Sequence, residues 1–586
     1  MATGAFSASA ILAVTFTDKA AGEMRARLEA LGVRGVRART FHSSALAQLH
    51  HLVPGTGEIL PSKALWLRQI ANGLPVPYRF RPAADLATEI EWARNRRLTP
   101  ATYSDGLDGH EPPIPLDLML RVFRRYEERK QREGRIDFED VLDLLVRFYD
   151  AHPDAAERFR ARCAAITVDE YQDVNLLQQA LLDHWLGDRD ELCAVGDDYQ
   201  AIYSFTGATP HYLLELPKRF PNAAVVQLET NYRSTPQVLA VANRLVPALG
   251  GARKELRPIA GDGPEPVLQV SDDEGGWIAQ RIAELHRDQR VPYEEVAVVY
   301  RVNARSEDFE EALADAGIPY QVRGGAFLSR PAARSVLRRL GRNVDMPAGT
   351  ATTEAARLDG LLEQLPEGLG EEERTRQADL RRLVQLADAF DGSAADFAAD
   401  LARRFGSEGE GRGVHLLTYH RAKGLEWDAV FLPALAAGEL PARQAKTKTA
   451  IDEERRLLYV GITRARRFLF LSRPAKAKPS PFLVELGLEG RSKRRASAPG
   501  GREAAGRAAT SDPDGPFGAL RAWRKDRAQA DGVPAYVVFH DRTLEELAAR
   551  LPRGMGELLD VPGVGPAKVE RYGSEVLAVL ARFVDP

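Results

Sequence analysis

Short apolar runs of strand length alternate with helical patterns along most of this 586-residue chain. ILAVTFT (11–17) precedes DKAAGEMRARLEALG (18–32), AAITVDE (164–170) precedes DVNLLQQALLDHWLG (173–187), and ELCAVGD (191–197) leads into a polar turn. A second series opens with AAVVQLETNYRS (223–234) and continues through VAVVYRVNARSEDFEEALADAGI (296–318). It resumes with GVHLLTYHRAKGLEWDAVFLPAL (413–435) and RRFLFLS (466–472). This alternation predicts parallel sheets in an α/β fold. Two arginine-rich helical stretches interrupt it, at 81–160 and 330–411. Sheet-forming sequence is therefore expected at 1–80 with 161–226 and at 227–329 with 412–480.

Length implies several cores, about three to five units of ordinary domain size. No run of about eighteen or more uncharged apolar residues occurs, and the first twenty residues lack the basic start and cleavage pattern of a signal peptide. A cytoplasmic protein with no membrane partner is expected. Two cysteines, Cys163 and Cys193, are too few for a disulfide framework or a cysteine zinc site, and their apolar surroundings predict buried thiols. A net charge of −3 leaves the partner open, since local basic grooves can bind nucleic acid on a near-neutral chain.

The segment 491–510 holds six Lys/Arg against one acid among Gly, Ala, Ser and Pro, and reads as part of a basic linker spanning 481–531. A compact tail, 532–586, follows. Within it HDRTLEELAARL offers Thr543 as a helix cap with Glu546 three residues on, and Leu544, Leu547, Ala548 and Leu551 share one face. DVPGVGPAKVERYG then supplies a Gly-Val-Gly turn before Pro566 in the first turn of another helix, beside Lys568. The tail is either a small bundle whose glycines merely allow close packing or a phosphate-contacting module.

Asp169 and Glu170 stand at the end of an apolar run. Such a carboxylate pair can serve as a solvated cap, or can hold Mg²⁺ and polarise a water beside a terminal phosphate. VGDDYQAIYSFTGA (195–208) is another strand-like run ending in Gly-Asp, with Gln200 and Tyr203 close behind. Arg233 and Arg464 lie in separate α/β segments. Each could be a surface ion pair, or a guanidinium that stabilises charge on a transferred phosphoryl group.

Together these strings resemble the UvrD/Rep/PcrA-type superfamily 1 DNA helicases. AVTFTDKAAGEM, RTFHS, VDEYQD, GDDYQAIYSFTGA, LETNYRS, TYHRAKGLEWDAVF and EERRLLYVGITRAR are similar to seven of that family's motifs, in order, from about Ile11 to Ser472. The tail resembles an HRDC domain. The resemblance implies two RecA-like parallel-sheet core domains with helical insertions, plus a small all-α HRDC-like domain. It implies an ATP-dependent 3′→5′ helicase or translocase on single-stranded DNA and duplex junctions, acting with repair or replication proteins. ATP and Mg²⁺ are the implied cofactors.

By the family pattern Asp169 ligates the metal, Glu170 activates water, Gln200 senses the γ-phosphate, and Arg233 and Arg464 reach it. Tyr232 lies near the adenine and Glu426 near the ribose. Thr15, Phe16, Thr40, His42, Tyr203, Phe205 and His420 fall in single-strand-contacting segments, and Lys568 is the tail's candidate. Core packing is expected for Phe16 and base stacking for Phe205.

The chain departs from the pattern in four ways. Phe205-Thr206 stands where Trp-Arg is usual, the second insertion is short, and no cysteine cluster separates motor from tail. The 586 residues also contain no Gly-Lys dipeptide, hence no G-x-x-x-x-G-K-[ST] phosphate loop. The family's loop lies upstream of the segment matching AVTFTDKAAGEM, so an incomplete N-terminus is expected. A polypeptide of this sequence is expected to hydrolyse ATP slowly until such a loop is joined ahead of Ile11. The alternative is a nucleic-acid-binding module with an inactive motor.

Overall fold

The computed structural model describes residues 6–53, 55–76, 78–323, 327–364, 370–405, 412–488, 515–531, 538, 539, 541–559, 561, 564 and 566–583. They form two compact units, divided at Ala496/Ser497.

The first unit contains two large parallel sheets, besides the two-stranded pairs Glu58–Ile59 with Arg135–Ile136 and Thr230–Asn231 with Arg257–Pro258. In the first sheet, β1 (Ile11–Thr15), β2 (Arg37–Thr40), β3 (Ala165–Val168) and β4 (Leu192–Ala194) lie in the order β2-β1-β3-β4. β1 is buried along its whole length, as a central parallel strand covered on both faces must be. Helices Phe41–Leu52, Phe138–Ala151 and Leu176–Leu186 cover the sheet, with Phe41 stacked on Trp185 at 5.8 Å. The second sheet is six-stranded. β5 (Val267–Val270), β6 (Val296–Tyr300), β7 (Tyr320–Val322), β8 (Val414–Thr418), β9 (Trp427–Leu432) and β10 (Ala465–Arg473) take the order β7-β8-β6-β9-β10-β5. Along β6, Val296, Val298 and Tyr300 enter one core, while Ala297 and Val299 enter the core on the opposite face. The apolar run VAVVY thus buries both of its alternating faces.

Each helical interruption builds its own core. Leu60 to Tyr126 gather around Trp66, Ile90 and Phe123, and Phe327 to Phe405 around Val336, Leu383 and Phe397. The first of these cores does not follow the 81–160 span. It begins at Leu60, and Val141 to Ala156 belong instead to the core of the first sheet. The amphipathic helix Phe138–Ala151 has its partners on the sheet, which is why the boundary shifts.

Two further expectations are corrected. AAVVQLE (223–229) forms no strand, and Val225, Val226 and Leu228 are exposed. Cys163 is buried, but Cys193, on β4 at the sheet's edge, is exposed. The first segment has no strand to pair with among the described residues, and on β4 Leu192 and Ala194 pack on the core while Cys193, between them, points to the opposite face.

In the second unit, helices Pro516–Asp531, Asp541–Arg550, Met555–Leu559 and Pro566–Leu580 surround Leu520, Phe539, Leu544, Leu547, Tyr572 and Val576. Helix Pro516–Asp531 contributes Leu520 and Trp523 to this core and so belongs with the tail, not with a linker. Thr543 lies inside its helix and is buried, so it is not the cap. Pro566 does open the last helix. The basic segment 491–510, Gly563 and Gly565 lie outside the described residues. No described helix is long and apolar enough to cross a membrane.

Candidate nucleotide and nucleic-acid site

The carboxylate pair closes β3. Asp169 N–H extends the ladder by donating to the Val14 carbonyl at 2.9 Å. Glu170 then turns the chain in the left-handed region, φ 52°, a conformation that costs a non-glycine residue about 1–2 kcal/mol and is tolerated where the surroundings enforce it. Backbone bonds hold the turn, Tyr171 N–H donating to the Val195 carbonyl at 2.8 Å and Asp173 N–H to the Glu170 carbonyl at 2.9 Å, while the Gln172 amide donates to Glu170 Oε2 at 2.5 Å and accepts from Asp197 N–H at 2.8 Å. Gly196 makes the approach feasible, since a Cβ there would sit 2.6 Å from Gln172 Oε1. Asp169 Oδ1 accepts from Glu170 N–H at 3.0 Å. Burial, and then the Glu170 charge, push the Asp169 carboxyl up.

The second core domain supplies the opposite wall. Lys423, after β8, reaches across to Asp173 Oδ2 at 2.5 Å, the Gln200 carbonyl at 2.7 Å and Glu170 Oε2 at 3.7 Å. Burial raises the Asp173 carboxyl to about 6 despite that lysine. Gln200 donates to Asp197 Oδ2 at 2.7 Å and accepts from Arg464 Nη2 at 3.5 Å. Arg464 is 2% exposed. It is held by the carbonyls of Val460 at 3.0 Å and Leu425 at 3.2 Å. Among the described residues it has no carboxylate at ion-pair distance. Burial, and then the neighbouring Arg233 cation, lower its guanidinium to about 10. Arg233 is ion-paired with Glu426, while Tyr232 is 78% exposed beside it. Gln200, Arg464, Arg233 and Glu426 are thus brought together, with Glu170 and Asp169 across the cleft.

A second cluster joins the same two walls. Tyr203 donates to the His420 carbonyl at 3.3 Å, and Phe205 meets the His420 ring edge-on at 5.5 Å. Phe205 keeps 44% of its surface exposed. Burial lowers His420 to about 3 and His42 to about 4, so both rings are neutral at pH 7 and offer no cation to a phosphate. Phe16 packs on Phe41 at 6.0 Å, on the core side as expected. Thr15 is buried, and the Thr40 hydroxyl caps helix Phe41–Leu52 by accepting from Ser43 N–H at 3.1 Å.

Family models match in the same order as these walls. The UvrD/REP helicase N-terminal domain matches residues 1–221, and the UvrD-like helicase C-terminal domain matches 226–346 and 342–476. The chain is 38% identical to the ATP-dependent DNA helicase UvrD2 of Mycobacterium tuberculosis, over 99% of this chain and 93% of that one. The chain belongs to the UvrD-like helicase family. It is also 30% identical to the mycobacterial ATP-dependent DNA helicase UvrD1, over 81% of this chain and 77% of the other. Identity to the ATP-dependent DNA helicase PcrA of Bacillus subtilis is 27%, over 79% and 76%. An HRDC domain matches 515–580, which places the start of the tail domain seventeen residues before the expected 532.

Within this family frame, Lys568 of the HRDC domain lies 5.1 Å over the Phe539 ring, and partial burial lowers its pKa. The motif residues missed from sequence were Lys423, Asp173 and Asp197. Lys423 and Asp173 sit inside quoted motifs, but their pairing spans 250 residues and has no local signature.

Proposed function

We propose that this protein is an ATP-driven translocase on single-stranded DNA, moving 3′→5′ and opening duplex at junctions during repair or replication in the cytoplasm. The observation that carries the reading is Arg464: a buried guanidinium held by carbonyls, beside a second cation and against Gln200. Two adjacent cations, one with no carboxylate at ion-pair distance among the described residues, form an anion site. A terminal phosphate supplies charge there with the geometry a guanidinium fork prefers.

The remaining residues then take complementary work. Glu170 holds a water for attack, and its strained backbone aims it away from the strand. The Asp169 Oδ2 oxygen, with no three-carboxylate cage among the described residues, fits a Mg²⁺ carried in by the nucleotide's own phosphates. That ion would neutralise phosphate charge. Arg233 must leave Glu426 to reach a phosphate, which frees Glu426 for a ribose hydroxyl and leaves the exposed Tyr232 for a base. Gln200 lies three residues before Tyr203 and five before Phe205, so a shift at the cleft moves the aromatic pair on which bases would stack. The names of the relatives support ATP and DNA as substrates, and the family pattern supports the polarity.

The test is strand displacement by the protein with a phosphate loop joined ahead of Ile11. ATP should drive unwinding of a 3′-tailed duplex and leave a 5′-tailed one intact. Tight single-strand binding with no nucleotide-dependent displacement from either substrate would support the inactive-motor alternative.

A further inference from the structure

The loop after helix Val246–Leu249 places a lysine in the nucleotide cleft that lies in no sequence motif. Lys254 Nζ lies 2.6 Å from Asp197 Oδ1, 2.7 Å from Asp198 Oδ1 and 4.0 Å over the Tyr199 ring. The loop backbone joins in, with Ala252 N–H donating to Asp198 Oδ2 at 3.1 Å. The approach depends on Gly251, which has φ +70° and where a Cβ would fall 2.0 Å from Asp198 Oδ2. Tyr199 and Ile202 are buried in the core of the second sheet, together with Val241 and Leu457. The segment 197–202 follows the last strand of the first sheet, yet its anchors belong to the second domain.

Lys254 is linked to Gln200 through Asp197. An ionised carboxylate only accepts hydrogen bonds. Asp197 Oδ2 therefore takes the Gln200 NH₂ group at 2.7 Å, which turns Gln200 Oε1 toward Arg464. Asp197 Oδ1 is shared by Lys254 and the Tyr199 N–H at 3.0 Å. Without the lysine charge, Asp197 and Asp198 stand adjacent and uncompensated in a half-buried cleft. Their repulsion would swing Asp197 outward and release the amide.

We propose that Lys254 is a positioning residue that locks the side-chain amide of Gln200 beside Arg464 through Asp197, and that it makes the second core domain the carrier of that amide as the cleft opens and closes. The proposal rests on the motor reading above. It extends that reading by giving the domain motion a defined attachment.

Two measurements test it. In the 586-residue chain without nucleotide, Lys254→Met should speed hydrogen exchange at the Tyr199 and Ala252 amides about tenfold or more while leaving β10 unchanged. In the loop-bearing protein at saturating single-stranded DNA, Lys254→Met should lower kcat about ten- to a hundredfold with KM for ATP within about threefold, the loss expected of a misplaced polar group. Lys254→Arg should recover most of it. Because the effect runs through Gln200, adding Lys254→Met to Gln200→Ala should cost less than about twofold more. Unchanged kcat in Lys254→Met, or a full additional loss in the double variant, overturns the proposal. Absence of DNA-stimulated hydrolysis in the unsubstituted loop-bearing protein overturns the motor reading instead, and the proposal with it.

Discussion

Replacing Arg330 by Met should loosen the second helical insertion from the sheet domain that carries it. Arg330 is 5% exposed and lies between two elements. On one side are Ser306, Glu307 and Glu310 of helix Ser306–Asp315, the carboxylates at 3.7 and 3.6 Å. On the other is Asp379 of helix Glu371–Asp388, at 2.7 Å. Methionine keeps the stem and removes the charge that faces the buried carboxylates of Glu307, Glu310 and Asp379. Breaking a buried pair in this way costs about 3–5 kcal/mol, or roughly two to three and a half powers of ten in the opening equilibrium at about 1.4 kcal/mol per tenfold. A multidomain chain has no single unfolding free energy, so the assay is hydrogen exchange along Glu371–Asp388. Burial raises Glu307 to about 8 and Asp379 to about 6, above their values in an unfolded chain. Both acids therefore bind protons more readily when folded, and the stability they affect rises as pH falls through 8 and 6. Protonation also removes the anions that Arg330 compensates. The deficit of the variant should be large at pH 8, rise somewhat further above it as Glu307 ionises fully, and shrink toward pH 5.5. A deficit below about 1 kcal/mol at pH 8, or one that grows on acidification, would refute this reasoning.

Two other outcomes follow from the cleft. In the loop-bearing protein, Glu170→Gln should reduce ATP hydrolysis by about two powers of ten or more while leaving nucleotide affinity within a few-fold, read by turnover and by equilibrium titration; equal loss of both would make Glu170 structural. Phe205→Ala should weaken single-strand binding by about 1–3 kcal/mol with little change in melting temperature, since nearly half of that ring is already exposed; a large melting shift with unchanged affinity would assign Phe205 to the core.

How far the sequence disclosed these features depended on whether the deciding contact was local. VAVVY at 296–300 could be recognised as a strand because five apolar residues in succession require cover on both faces, and β6 has it. AAVVQLE at 223–229 carries much the same apolar signal and forms no strand, with Val226 76% exposed. Pattern reports what a strand would bury and says nothing about whether a neighbour is there to pair with it. Cys193 misled in a related way, since the run could not show that only the face of Leu192 and Ala194 is covered. In the site, Glu170, Gln200, Arg233 and Arg464 could be named because the strings that hold them resemble motifs of a known family. The pairing of the motif acids with their cations could not be read, even for Lys423, which lies inside a motif. Lys423 reaches Asp173 across 250 residues and Lys254 reaches Asp198 across 56, distances at which no period or cap relates one residue to the other. Both lysines come from the second sheet domain, while the acids follow strands of the first. The cleft therefore has a sequence-legible half, made of acids and an amide on strand ends, and a half that exists only once the two domains are folded against each other. A motor that works by moving those domains would make and break the Lys423 contacts at that boundary, while the Lys254 contacts would travel with the second domain.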